Sequence, residues 1–161
     1  MKCAEIMTAD PRFCIPEDNI AVAAGIMWDY DLGAIPVVRD MQNNELVGFI
    51  TDRDMAMHVV KHSFKHPDEV KVSDCMSTNL VTCGKEDTLE TAMNLMAENK
   101  IRRVPVVDDN GCCVGILSQT DIFAKSEGME DAVIAMMQQV CSKCDDKAEE
   151  KNLPVSENEI K

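Results

Sequence analysis

The sequence predicts an α/β fold, of the α+β kind, built from two copies of a strand–helix–strand–strand–helix unit. The first observation is an internal repeat. Glu5-Ile6-Met7-Thr8 is matched 69 positions later by Asp74-Cys75-Met76-Ser77, and the offset holds through Cys14/Cys83, Glu17/Glu86, Asp18/Asp87, Ala23/Ala92 and Met27/Met96. The second is a pair of short Val/Ile-rich runs in each copy. Ile35-Pro36-Val37-Val38 answers Val104-Pro105-Val106-Val107, and Gly48-Phe49-Ile50-Thr51-Asp52-Arg53-Asp54 answers Gly115-Ile116-Leu117-Ser118-Gln119-Thr120-Asp121. The third is apolar spacing of helical period on either side of those runs. Two copies of one unit pack together because neither buries its apolar face alone, and the seam between them makes clefts.

The elements follow in order. An extended stretch is expected at residues 12–15 and 80–83. In the first copy Pro16 and Asp18 open a helix whose apolar face is Ile20, Ala23, Ala24, Ile26 and Met27. In the second, Asp87-Thr88-Leu89-Glu90 reads as a capping-box start with Asp87 as N-cap. Leu89, Ala92, Met93, Leu95 and Met96 then share one face, and the methionines read as core filler. Strands are expected at 34–39, 46–51, 103–108 and 113–118, with turns at Asn43-Asn44 and Asn110-Gly111. Second helices begin near Asp52 and Thr120. A last helix over 129–140 carries Ala132, Val133, Met136, Met137 and Val140. The organisation is thus a first repeat at 2–66, a second at 71–126, a C-terminal helix at 127–144 and a polar tail at 145–161 expected to be disordered.

Composition narrows the function classes. A chain of 161 residues forms one compact domain or two tightly joined halves, burying roughly 70% of its unfolded surface. No apolar run is long enough to span a membrane, and the first residues show no secretory apolar core, so a cytoplasmic protein with no membrane partner is expected. A net charge of −13 argues against a nucleic-acid partner, since phosphate backbones need a basic face. A local basic pocket for a small phosphorylated ligand is compatible with that charge. The order and spacing of residues supply no nucleophile–base set and no phosphate loop, so an enzyme is not expected.

Eight cysteines suit reduced thiols in a cytosol. Cys14 and Cys83 read as small core residues. Cys112-Cys113 and Cys141/Cys144 are the groupings that could serve metal or redox chemistry, and Cys141 and Cys144 are the weak metal candidates. His58, His62 and His66 recur at helical spacing and read as a solvated face, because His66 precedes proline.

The motif with chemistry in it is Gly-x-x-[Thr/Ser]-x-x-Asp at a strand-to-helix junction: Gly48, Thr51, Asp54 and Gly115, Ser118, Asp121. Glycine lets a ligand approach the backbone. A hydroxyl and free N–H groups at a helix start can hold phosphate oxygens. An Asp one turn in can accept both hydrogens of a ribose diol. The alternative is that Thr51 and Ser118 cap their helices and the Asp residues stabilise the first turn.

Taken together, these motifs resemble the CBS-domain family. The resemblance spans 2–60 and 71–126 and rests on Asp-Leu-Gly-Ala-Ile-Pro-Val-Val, Ile-Arg-Arg-Val-Pro-Val-Val-Asp and the two Gly-to-Asp motifs. The layout is similar to small stand-alone bacterial CBS pairs of the hypoxic-response type. The resemblance implies a Bateman module with two clefts for AMP, ADP, ATP or S-adenosylmethionine, used as regulatory ligands with no obligatory cofactor. It assigns Asp54 and Asp121 to ribose, Thr51 and Ser118 to the hydroxyl position, and Arg102 and Arg103 to phosphate. The first copy departs from this pattern, with Gly33 and Ala34 where basic residues are expected, so the clefts are unequal and Arg103 marks the better one. A disk-shaped homodimer acting on an unidentified regulated protein is also implied. The runner-up is a metal- or redox-sensing protein using Cys141/Cys144 with Cys112/Cys113 or the histidines.

Overall fold

The computed structural model describes residues 1–61 and 66–142. Its elements are α1 (Cys3–Ile6), β1 (Thr8–Ala9), α2 (Ile20–Asp29), β2 (Ala34–Val38), β3 (Leu46–Thr51) and α3 (Asp52–Lys61), then a 3₁₀ turn at Pro67–Glu69. The second copy supplies α4 (Val72–Cys75), β4 (Cys83–Gly84), α5 (Leu89–Asn99), β5 (Arg103–Val107), β6 (Cys113–Ser118) and α6 (Gln119–Lys125), followed by α7 (Glu130–Cys141). The four hairpin strands expected from the sequence are present, two of them one residue shorter than expected, while the extended stretch at 12–15 reduces to a single bridge at Cys14 and that at 80–83 to β4.

Each copy centres on an antiparallel hairpin, β2–β3 or β5–β6, with a register shift at the same place, Val37/Val38 and Val106/Val107. Asn44 and Gly111, at φ 54° and 78°, take the left-handed backbone in the connecting turns, where Asn and Gly adopt it at least cost. On one edge of each hairpin runs a parallel neighbour from the same copy: Cys14 beside Val37, and β4 beside β5.

The other edge is closed by the opposite copy. β1, which leads into the first repeat, pairs antiparallel with β6, Thr8 opposite Ile116. Ser77, which leads into the second, pairs with Phe49 of β3 in the same sense. A β-carbon on Gly48 would come within 3 Å of Met76, and one on Gly115 within 3 Å of Met7. The glycines thus leave room for the lead-in methionine of the other repeat. The short helices α1 and α4, which sequence reasoning did not anticipate, begin at matched N-caps: Lys2 N donates to Glu5 (3.0 Å) and Lys71 N to Asp74 (3.1 Å).

The cores follow the exchange. One gathers Cys14, Ile20, Met27, Ile35, Ile50, Met55, Val70 and Val72. The other joins Cys3 and Ile6 of the N-terminal segment to Leu89, Met96, Val104, Leu117 and Ile122, and adds Val133, Met136 and Val140 from α7. Packing of α7 against α5 covers the outer face of the second repeat, while among the described residues no element covers the matching α2–α3 face of the first. Among the described residues no helix is long and apolar enough to cross a membrane.

Some expectations need correction. The first helix starts later than Pro16–Asp18, at an Asn19 cap whose Oδ1 accepts Val22 N (3.0 Å), while Asp18 accepts Ile15 N in the preceding turn. In the second copy the N-cap is Thr88, not Asp87; Asp87 instead accepts Gly84 N at 2.7 Å. In both copies the turn preceding the helix takes the aspartate. Ala24 and Ala132 are exposed and belong to neither core. His66 lies outside the α3 helix that carries His58 and caps the 3₁₀ turn. His62, Cys144 and the tail at 145–161 lie outside the described residues.

Glycine substitutions separate close approach from helix propensity. Gly25, on the exposed face of α2 with open space around it, should gain stability of about 0.5–1 kcal/mol on Gly25→Ala. Gly115→Ala should lose about 1–3 kcal/mol by forcing Met7 and β1 away. Urea unfolding checks both signs.

Candidate ligand site at the repeat seam

Both Gly-to-Asp motifs sit where a hairpin strand turns into a helix, and they have the same geometry. Asp54 Oδ2 accepts from Thr51 N (3.0 Å) and from Thr51 Oγ1 (2.6 Å), while Asp54 N donates to Thr51 Oγ1 (3.1 Å). In the second copy Asp121 Oδ2 accepts from Ser118 N (2.9 Å) and Oγ (2.5 Å), and Asp121 N donates to Ser118 Oγ (3.1 Å). Each pair is therefore a reciprocal cap, the role given above as the alternative to ligand binding. Each carboxylate makes its bonds through Oδ2 alone. The half-buried carboxylates are fixed by one oxygen, a preorganised arrangement for presenting the other.

The two arginines part company. Arg102 is exposed on its strand approach, and its carbonyl accepts Gln119 N (3.1 Å). Arg103 starts β5 opposite Ser118 in the ladder, but its guanidinium crosses to the first repeat. A β-carbon on Gly33 would lie 3.3 Å from Arg103 Nη2 and 3.6 Å from Asp52 Oδ2. Gly33 is held at the start of α3, its carbonyl accepting Asp52 N (3.3 Å), and its neighbour Ala34 pairs with Thr51. The structure thus gathers Arg103, Asp52, Thr51 and Asp54 around one helix start, with residues from both repeats. Sequence reasoning gave the lack of a basic residue at Gly33 as a deficit of the first copy. In space, the missing side chain makes room for the second copy's arginine. Nothing in the local sequence of Asp52 signals that an arginine 51 positions away approaches the same glycine.

Two hollows of about 450 and 300 Å³ lie on the outer face of α2 and α3, the larger sharing Asp52 with this cluster. Ala24 and Met55 border both; Trp28 and Asp52 line the larger, Val60 and Pro67 the smaller. Thr51, Asp54, Ser118, Asp121 and Arg103 line neither.

Among the described residues no three His, Cys, Asp or Glu side chains gather as a metal would require. Cys113 is buried, Cys112 half-buried, and Cys141 is exposed at the end of α7.

Comparison with known proteins adds the family. The CBS-domain model matches residues 3–61 and 72–128. The CBS domain-containing protein YhcV of Bacillus subtilis is 36% identical over 132 residues, covering 82% of this chain and 90% of that protein. Hypoxic Response Protein I, solved with two coordinated zinc ions, superposes with a TM-score of 0.69 at 25% identity, covering 78% of this chain and 98% of the other. The CBS domain pair of MJ0100, solved with 5′-methylthioadenosine and S-adenosyl-L-methionine, gives 0.67 at 27% identity, covering 80% and 97%.

The reciprocal caps carry a stability prediction. Thr51→Ala and Ser118→Ala should each cost about 1 kcal/mol, and the double variant about the sum, since the caps share no partner. Equal urea midpoints for wild type and both single variants would remove the capping role.

Proposed function

Because the chain belongs to the CBS-domain family, we propose that it is a non-catalytic cytoplasmic sensor of an adenosyl ligand, and that the cleft beside Thr51 and Asp54 is its principal site. The observation that carries this reading is the guanidinium of Arg103 at Gly33, next to a capped helix start. Asp54 offers the ribose diol the oxygen its cap leaves over. The first N–H groups of α3 are already engaged by Gly33 O, Asp52 Oδ1 and Thr51 Oγ1, so the Arg103 fork takes the phosphate or carboxylate of the ligand. Asp52 stands beside that fork and lowers the net positive charge there, favouring a monophosphate or a zwitterionic sulfonium compound over a triphosphate. The ligands held by the similar MJ0100 pair support the adenosyl class.

Binding signals by shifting how the two repeats pack, which requires that the ligand favour one packing over the other. The regulated partner is a second protein. We also assign homodimerisation to the open α2–α3 face, where Trp28 is 87% exposed and Val22, Met57 and Val60 are also exposed. On the second repeat α7 covers the matching surface, so a second copy docks on the first repeat. The zinc in Hypoxic Response Protein I keeps a metal-sensing reading as runner-up. Stoichiometric, cysteine-dependent zinc in protein purified without added metal would favour it.

Calorimetric titration with AMP, ATP, S-adenosylmethionine and 5′-methylthioadenosine tests the site. Arg103→Ala should weaken AMP by about 10–100-fold, the loss of one charge-assisted contact, and leave methylthioadenosine nearly unchanged. Asp54→Asn should weaken all ligands more than Asp121→Asn does. Binding by none of the four, or dependence on Asp121 alone, defeats the proposal.

Trp28 is the single tryptophan of the chain, so its emission should shift to the red on dilution. Trp28→Glu should give a monomer by light scattering, and an unchanged mass would move the interface elsewhere.

A further inference from the structure

The two hollows on the outer face lie in series along the groove between α2 and α3, and the spacing of their linings gives that groove two unlike ends. On α2, Ala24 stands four residues from Ile20 in the smaller hollow and four from Trp28 in the larger. On α3, Ala56 stands four residues from Asp52 in the larger and four from Val60 in the smaller. Four helical residues rise about 6 Å, so the ends lie at equal distances on either side of two exposed alanines. The larger hollow carries Trp28, 87% exposed, and the carboxylates of Asp31 and Asp52. Only apolar side chains line the smaller, and exposed Lys61 follows Val60 there. One end offers a knob and two acids, the other an apolar socket and a lysine.

The second repeat supplies an internal control. Under the 69-residue offset Trp28 corresponds to Ala97 and Ala24 to Met93. Ala97 and Met93 are buried in the cluster that takes in Val133, Met136 and Val140 of α7. Where the chain covers its own helix face, the larger side chain is in the middle and the smaller at the end. On the open face that order is reversed. A helix seated as α7 is would meet the Trp28 indole at the place of the Ala97 methyl group, so the open face has the shape for another occupant.

We propose that this occupant is the same face of a second copy, turned end for end about a twofold axis at Ala24 and Ala56, with Trp28 of each copy filling the Val60–Pro67 socket of the other. The orientation rests on the homodimer assigned above to this face. A twofold contact is self-complementary, so each knob–socket match is made twice. The socket of about 300 Å³ takes the indole out of water, and roughly 150–250 Å² of aromatic surface goes with it. A tryptophan seated in a desolvated pocket is the kind of residue that dominates an interface. The same rotation brings Lys61 of each copy to Asp52 of the other. Pairing like ends would instead set Asp31 and Asp52 against the same residues of the second copy and leave one apolar socket facing another. The two alanines at the axis let the helix pairs approach closely. On the second repeat α7 occupies the equivalent face, so association stops at two copies.

The test reads mass by light scattering on the full chain and needs no nucleotide, which separates it from the ligand-binding test. Trp28→Ala empties both sockets and Val60→Trp fills both, so each variant alone should run at half the wild-type mass. Both side chains are exposed, so the fold is kept. Mixed in equal amounts, the two variants should regain the dimer mass. One socket then receives a native indole, and the other, already filled, faces the shortened side chain. A Val60→Trp protein that stays dimeric overturns the end-for-end orientation while the homodimer stands, as does a mixture that stays monomeric. A monomeric wild-type protein, or a mass unchanged by Trp28→Ala, removes the homodimer at this face and the orientation with it.

Discussion

The exchange of lead-in segments between the repeats is the constraint from which the rest of the structure follows. A two-stranded hairpin is marginal by itself in water, and each copy contains only one long hairpin. Its free edge is closed by backbone from the other copy, β1 against β6 and Ser77 against Phe49. The closure is sterically specific, because a methionine from each lead-in fills the space that Gly48 or Gly115 leaves. Neither repeat is therefore complete without the other. The seam becomes a rigid joint, able to hold Arg103 of one copy against Gly33 of the other.

Departures from symmetry are built on this joint without disturbing it. Val133, Met136 and Val140 of α7 extend the core of the second repeat, and no described element does the same for the first. Trp28 and Val60 remain on the open face, at an entropic and solvation cost that a partner surface would offset. One face of the molecule is thus self-covered and the opposite one apolar and open. That difference separates the chain's two ends by role, although their backbones are nearly equivalent.

The sequence displayed the backbone plainly and the seam hardly at all. The repeat offset located the hairpins and both Thr/Ser-to-Asp caps, because strand alternation and capping are local effects that a few adjacent residues determine. The helix starts were misread by one to a few residues, since Asp18 and Asp87 compete as caps and are taken by the turns before Asn19 and Thr88. The crossing of β1 to β6 left no local signal, because pairing partners over 100 residues apart share only a pattern that either copy could satisfy. The same holds for Arg103 at Gly33.

The positions at which the copies differ explain how a nearly symmetric module could report occupancy. Under the 69-residue offset Gly33 corresponds to Arg102, and Ala34 to Arg103. The approach that brings a guanidinium to a glycine in the first cleft therefore brings an alanine toward an arginine in the second. Asp52, beside the first guanidinium, corresponds to the uncharged Gln119 at the shorter offset. A ligand that prefers the first cleft pulls Arg103, and with it the start of β5, toward α3, and nothing equivalent pulls β2 toward α6. An evenly loaded pair of clefts would tighten the module about its axis and leave its faces related as before. Under the proposed reading a one-sided load would act on the first repeat alone, the repeat that carries the α2–α3 face on which a second copy is proposed to dock.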